Sequence, residues 1–105
     1  MVGGGFGGLR VVKALRDAPV EVTLVDCQNY HLFQPLTYQV ATGALASSDV
    51  TYPLRVLFGA VPNITVLLAA VAGFDLDRRR VLLADDPWYR APEFLEYDTL
   101  VVATG

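Results

Sequence analysis

Apolar and polar residues alternate along Val20-Glu21-Val22-Thr23-Leu24-Val25, the period of a half-buried strand, and the run closes on Asp26. Before it, Leu9, Val12 and Leu15 recur at helical spacing, while Arg10, Lys13, Arg16 and Asp17 fall mostly on the other side and Ala18-Pro19 ends the helix. After Asp26 the alternation stops, and Cys27 to Pro35 reads as a loop. Pro35 suits the first turn of a helix through Tyr38 and Val40, which Thr42-Gly43 would end. Ala46-Ser47-Ser48-Asp49 is a polar linker, and Pro53 opens a second short helix, Leu54 to Phe58, bounded by Gly59 and Pro62. Ile64 to Leu68 and Ala70 to Asp75 read as strands, and Arg80-Val81-Leu82-Leu83 pairs back across an Asp77-Arg78 turn as a hairpin. Asp85 to Pro92, with Trp88 inside it, is an irregular insertion before Tyr97-Asp98. Leu100-Val101-Val102-Ala103 is continuously apolar, as in a strand buried on both faces of a parallel sheet, and Thr104-Gly105 follows it.

Strands interleaved with helices predict an α/β domain with a central parallel sheet and a β hairpin or meander over part of it. Its opening carries the first chemistry. Gly3, Gly5 and Gly8 stand in the G-x-G-x-x-G spacing, within the run Gly3-Gly4-Gly5-Phe6-Gly7-Gly8. Such glycines allow a tight turn, a close backbone approach to a pyrophosphate, and close packing of the next helix on the sheet. The pyrophosphate would lie at that helix's N-terminus, where free N–H groups and the dipole favour an anion. Asp26 ends the second strand, about 20 residues beyond the turn, where an acid accepts hydrogen bonds from an adenosine ribose. It would repel a 2′-phosphate, which disfavours NADP. Strand, glycine turn, helix, strand and acid in that order point to an adenine dinucleotide, against the plainer reading of a glycine-rich turn in an unrelated α/β domain. The final Ala103-Thr104-Gly105 lies at the carboxyl end of a strand, where open α/β sheets bind ligands. By itself it reads equally well as a polar strand exit.

Composition narrows the picture. At 105 residues the chain suits one domain. Hydrophobic residues make up 53% of it, a surplus expected of surfaces that pack on further sequence. A first strand reduced to Met1-Val2 adds to the expectation of a truncated domain. The apolar stretch Ile64 to Phe74 is broken by Thr65 and Gly73 and falls short of the roughly 20 residues that cross a bilayer. No secretory leader is expected, since the glycine turn occupies the place of its basic region. The net charge of −3 does not draw the chain to nucleic acid. Arg78-Arg79-Arg80 follows Asp75 and Asp77, as in a solvated turn rather than an anion patch. One cysteine, Cys27, permits no internal disulfide and suits a reducing compartment. No metal-spaced ligands and no Ser/His/Asp set are present, and no catalytic residue is assigned.

Three segments together carry a family resemblance: Val2 to Leu9, then Asn29-Tyr30-His31-Leu32-Phe33-Gln34-Pro35-Leu36-Thr37-Tyr38-Gln39-Val40-Ala41-Thr42-Gly43, then Tyr97 to Gly105. They resemble the N-terminal FAD-binding part of type II NADH dehydrogenases, the single-subunit, non-proton-pumping NADH:quinone oxidoreductases. The middle segment is the specific one, since the glycine turn and the terminal Ala-Thr-Gly occur across many flavin reductases. The resemblance implies a Rossmann-like FAD/NAD(P)-binding domain over residues 1–105, with FAD contacts at Gly3, Gly5, Phe6, Gly7, Gly8, Asp26, Thr42, Gly43, Ala103, Thr104 and Gly105. Thr42 and Gly43 would run beside the flavin.

By the same resemblance, a hydride passes from NADH to FAD and two electrons go on to a quinone, with the flavin doing the chemistry. A second domain for NADH and a C-terminal amphipathic membrane attachment would lie outside these residues. The full-length enzyme would sit on the cytoplasmic, inner face of the cell membrane. His31, the only histidine, reads as a residue bonded to the backbone in preference to a proton relay. Tyr38 and Gln39 could approach flavin or quinone, and packing is as good a reading for Tyr38. Cys27, without a partner cysteine, argues against redox chemistry of the sulfide:quinone reductase kind. The alternatives are another FAD-dependent pyridine nucleotide oxidoreductase, of ferredoxin or disulfide reductase type, and a noncatalytic nucleotide-binding module. An NAD-binding dehydrogenase domain shares the opening motif but not the later segments.

Overall fold

The computed structural model describes residues 1–87 and 91–105, so Trp88, Tyr89 and Arg90 of the expected insertion lie outside the described residues. Chain order is α1 (Phe6–Leu15), β1 (Val22–Asp26), β2 (Tyr30–Leu32), a 3-10 turn (Gln34–Leu36) running into α2 (Thr37–Ala41), a second 3-10 turn (Ser47–Asp49), β3 (Thr51–Pro53) and α3 (Leu54–Phe58). Then come β4 (Ile64–Leu68), β5 (Val71–Asp75), β6 (Arg80–Leu83) and β7 (Phe94–Glu96).

The sheet at the centre is parallel. β1 pairs with β4 from Val22 opposite Ile64 to Asp26 opposite Leu68. On the other side of β1, Val2 bridges Val25 and, beyond it, Val102, both in parallel. The spatial order is therefore β4, β1, the Val2 segment and the Val102 segment, each reaching its carboxyl end on the same edge. Short as it is, the Met1-Val2 stub holds the middle of this sheet: Gly3 N donates to Val25 O at 2.9 Å, Val25 N to Met1 O at 2.9 Å, and Ala103 N to Val2 O at 2.8 Å.

Consecutive residues of a strand point to opposite faces, and on β1 both faces are covered. Leu24 is 0% exposed among Leu9, Val12, Leu54, Phe58 and Ile64, the core between the sheet and helices α1 and α3. Val25 is 2% exposed among Val2, Ala69, Val81 and Leu83, the core between the sheet and the β5-β6-β7 meander. Three layers result: helices, parallel sheet, antiparallel meander. The α/β class, the parallel sheet and the meander agree with the pattern in the sequence. So do the bounds of α3 and β4 and the end of α2, where Gly43 takes a φ of 77°.

Two expectations need correction, and one further strand had no expectation. The Cys27 to Pro35 loop contains β2, antiparallel to β3 with His31 opposite Tyr52, and β7, paired with β6, lies between the expected insertion and Tyr97. Three residues are too few to show alternation, so these strands exist only through their partners. Leu100 to Ala103 is not buried on both faces, since Val102 is 52% exposed and makes a single bridge. Among the described residues its ladder has a partner on one side only, the Val2 stub.

The arginine run is a solvated turn. The Asp75 carboxylate accepts from Arg78 N at 3.1 Å and from the Arg78 guanidinium at 3.1 Å. The backbone N–H first and the guanidinium second hold this carboxyl below its ordinary range. Arg80 bonds Glu96 at 2.9 Å and lies 4.0 Å above the Phe94 ring.

One side chain ties the α1-to-β1 connection to the sheet. Asn63, just before β4, directs Nδ2 at the carbonyls of Leu15 (2.9 Å), Ala18 (3.3 Å) and Val20 (3.0 Å). Asn63→Ala removes these three bonds and is expected to lower stability by about 1–3 kcal/mol in thermal denaturation. Asn63→Asp sets carboxylate oxygens against carbonyl oxygens and should lower it further.

Candidate functional site

The carboxyl ends of the parallel segments converge on a cavity of about 500 Å³, within the range of small-molecule sites. Val2, Gly3 and Gly5 form one wall, Val25 to Gln28 a second, Ala69 to Val71 a third, and Ala103 to Gly105 the last. The site is local in sequence but assembled by sheet register. Asp26 O accepts from Ala69 N at 2.9 Å, which sets the end of β1 against the exit from β4.

Each of the three spaced glycines is required for a different reason. Gly3 has φ +99°, and a Cβ there would lie 2.5 Å from Ala103 O, so the turn out of the first segment admits no side chain. Gly8 sits in the first turns of α1 with its Cα over the Gly3 carbonyl, where a Cβ would come within 1.8 Å of that oxygen. Its missing side chain lets the helix close onto the sheet. Gly5 is different: a Cβ there would meet nothing within 4 Å. Space beside Gly5 is open to the cavity, and a side chain would fill it. These are the three roles of a dinucleotide-binding glycine turn: tight turn, close ligand approach and close helix packing.

Gly5 is also the N-cap of α1, with no side-chain cap and no acid in the first turn. The first helical N–H groups therefore keep their partial positive charge for an anion. Facing them, Asp26 Oδ2 accepts from Gly4 N, and Oδ1 accepts from Gln28 N at 2.8 Å. A carboxylate has about four acceptor directions, so Asp26 holds the turn and keeps lone pairs for hydroxyl donors.

Of the residues singled out from sequence, Gly3, Gly5, Asp26, Ala103, Thr104 and Gly105 line this cavity together. Gly7 and Gly8 belong to α1 behind it. Phe6 opens α1, but its ring turns away, meeting His31 edge-on at 4.8 Å and Phe33 at 5.6 Å. Thr42 and Gly43 are not among the cavity's lining residues; Thr42 Oγ1 bonds back to Tyr38 O and Gln39 O at 3.2 Å each, capping α2. Tyr38 is 81% exposed, so it does not pack within the chain. His31 is bonded to the backbone, with Nδ1 3.1 Å from Gly4 O, as its sequence reading expects, although it lies on β2 and not in a loop.

Sequence reasoning missed Ala69, Ala70 and Val71, which lack functional groups. The signal that would have found them is topological: they follow a parallel strand, at the sheet edge where α/β folds bind ligands. Cys27 and Gln28 also line the cavity, by adjacency to Asp26.

This arrangement defines a dinucleotide-binding domain of Rossmann type. Comparison with known proteins makes the assignment specific. Type II NADH:quinone oxidoreductase NdhA of Mycobacterium tuberculosis is 41% identical over 107 residues, covering 100% of this chain and 22% of that protein. Demethylphylloquinone reductase NdbB of Synechocystis is 32% identical, covering 100% of this chain and 27% of that protein. Among solved structures, the sulfide:quinone oxidoreductase of Aquifex aeolicus superposes with a TM-score of 0.84 at 29% identity, covering 99% of this chain and 23% of that one. The chain belongs to the pyridine nucleotide-disulphide oxidoreductase family, which it matches over residues 1–105. It spans about a quarter of the length of these relatives. The resemblance to type II NADH dehydrogenases is upheld.

The glycine geometry makes opposite demands at two positions. Gly8→Ala should cost about 1–3 kcal/mol through overpacking against Gly3. Gly5→Ser adds a favoured N-cap residue in open space and should stabilise by a few tenths of a kcal/mol. Thermal denaturation of the two variants beside the wild type checks both signs.

Proposed function

We propose that residues 1–105 form part of the FAD-binding domain of a flavoprotein NADH:quinone oxidoreductase, which passes electrons from NADH through FAD to a membrane quinone. The observation that carries this reading is the conjunction of open space at Gly5, the uncapped start of α1 and the Asp26 carboxylate in one cavity. Its walls suit the ADP half of FAD. The pyrophosphate would take the first N–H groups of α1, from Phe6, Gly7 and Gly8, with Gly3 and Gly5 giving it access. Asp26 would accept from the adenosine ribose hydroxyls, and Ala69 to Val71 would offer an apolar wall to adenine. Ala103, Thr104 and Gly105 would present backbone to the cofactor, and Thr42 and Gly43 would stand on the flavin side. When bound, FAD supplies the two-electron chemistry; the chain supplies position and charge.

The 41% identity to a type II NADH:quinone oxidoreductase supports the choice of NADH and quinone. The chain spans 22% of that relative's length, and in this reading an NADH-binding domain and a membrane attachment would lie outside residues 1–105. The whole enzyme would work at the cytoplasmic face of the cell membrane. Among the described residues no helix is long and apolar enough to cross a membrane.

Titration of the purified protein with FAD, followed by flavin fluorescence and the visible spectrum, tests the reading. Saturable binding is expected, weakened about tenfold or more in Asp26→Ala, which removes charged hydrogen bonds. Gly5→Ser should bind more weakly while melting no lower, because the hydroxyl competes for the first-turn amides. Binding unaffected by either change would remove Gly5 and Asp26 from the site. Residues 1–105 with added FAD are not expected to oxidise NADH, and measurable oxidation would contradict the proposed division of labour.

A further inference from the structure

The two successive peptides that meet at Gly4 are each held by a side chain. The Gly4 N–H donates to Asp26 Oδ2, and the Gly4 carbonyl lies 3.1 Å from His31 Nδ1. A carbonyl oxygen only accepts, so Nδ1 carries the proton and the imidazole, when neutral, is the Nδ1–H tautomer. His31 is 8% exposed and is the one buried polar side chain among the described residues. Its ring is also fixed by the edge-on contact with Phe6, the first residue of α1, at 4.8 Å and 87°. Behind it stands β2, registered on β3 by the pairing of His31 with Tyr52. A small antiparallel strand pair is thereby connected through one imidazole to the backbone of the glycine turn.

His31 does not line the cavity of Gly3, Gly5 and Asp26. Any effect on a ligand there passes through the Gly4–Gly5 peptide. Glycine-rich turns lose much conformational entropy when they become ordered, and binding is stronger when that ordering precedes the ligand. Gly4 is the residue between the Gly3 turn and the Gly5 N-cap. Fixing the two peptide planes that meet at its Cα fixes the direction in which the Gly5 backbone and the first amides of α1 face the cavity.

We infer that His31 is a positioning residue for the dinucleotide site: its Nδ1–H holds the Gly4–Gly5 peptide while Asp26 holds the Gly3–Gly4 peptide, so that the phosphate-facing amides are preset before the cofactor arrives. The inference rests on the reading of this cavity as a dinucleotide site. It assigns to the β2–β3 strand pair a part in cofactor affinity that it takes without touching the cofactor.

The test compares FAD binding by wild type, His31→Leu, His31→Asn and His31→Gln, with Asp26→Ala as reference. Asparagine places an N–H donor at the δ position and reaches Gly4 O; glutamine places it one bond further, and leucine has none. His31→Leu should bind FAD about tenfold more weakly, the scale of one buried hydrogen bond. Most of the loss should return in His31→Asn and little of it in His31→Gln, an order that a packing role alone would not produce. Nitrogen NMR of the neutral wild-type imidazole reads the tautomer without any cofactor and should show the proton on Nδ1. A proton on Nε2 overturns the clamp. Equal FAD affinity for wild type and His31→Leu, with Asp26→Ala weakened, overturns the positioning role and leaves the dinucleotide reading standing. Failure of the wild type to bind FAD overturns the dinucleotide reading itself, and the positioning role with it.

Discussion

The packing of Gly8 on the carbonyl of Gly3 is the contact on which the rest of the structure depends. A methyl group at Gly8 would stand 1.8 Å from that oxygen, so helix and turn are as close as two backbones come. Helix α1 can settle with Leu9 and Val12 in the core only if this approach is allowed. The same approach aims the helix's free amides over the turn. Stability and the capacity to hold an anion thus arise from one absent side chain.

The second determinant is burial on both faces of β1. Leu24 faces the helices and Val25 faces the meander, and each lies in a separate apolar cluster. A strand covered on both sides cannot slip by one residue without exchanging its two faces. Register is therefore firm, and it is register that brings Asp26 level with Leu68 and the residues after it into one cavity. The meander is thus part of the site's construction although only Val71 of its strands lines the cavity.

Charge in the cavity is divided between two backbone-anchored sources. At one side the uncapped start of α1 offers partial positive charge; at the other Asp26 offers a carboxylate already fixed by Gly4 and Gln28 amides. An anion followed by a polyhydroxyl group meets complementary partners in that order. Membership of the pyridine nucleotide-disulphide oxidoreductase family agrees with such a division, and the open space at Gly5 is the feature that a purely structural glycine turn would not need.

Local chemistry was legible in the chain itself. The spacing of Gly3, Gly5 and Gly8, the alternation ending at Asp26, the proline and glycine bounding Leu54–Phe58, and the apolar run before Thr104-Gly105 are each contained within a few neighbouring residues, and so are the backbone preferences that they express. What only the tertiary structure decided depends on partners distant in sequence. β2 is a strand because β3 lies beside it, and Val102 is half exposed because its ladder has one neighbour among the described residues. Ala69 to Val71 line a cavity because parallel register carries them to Asp26, and His31 meets Gly4 because the β2–β3 pairing places it there. Side chains without functional groups, and bonds made across more than twenty residues, leave no periodic trace in a sequence. Their roles are fixed only when the cores on both faces of β1 close.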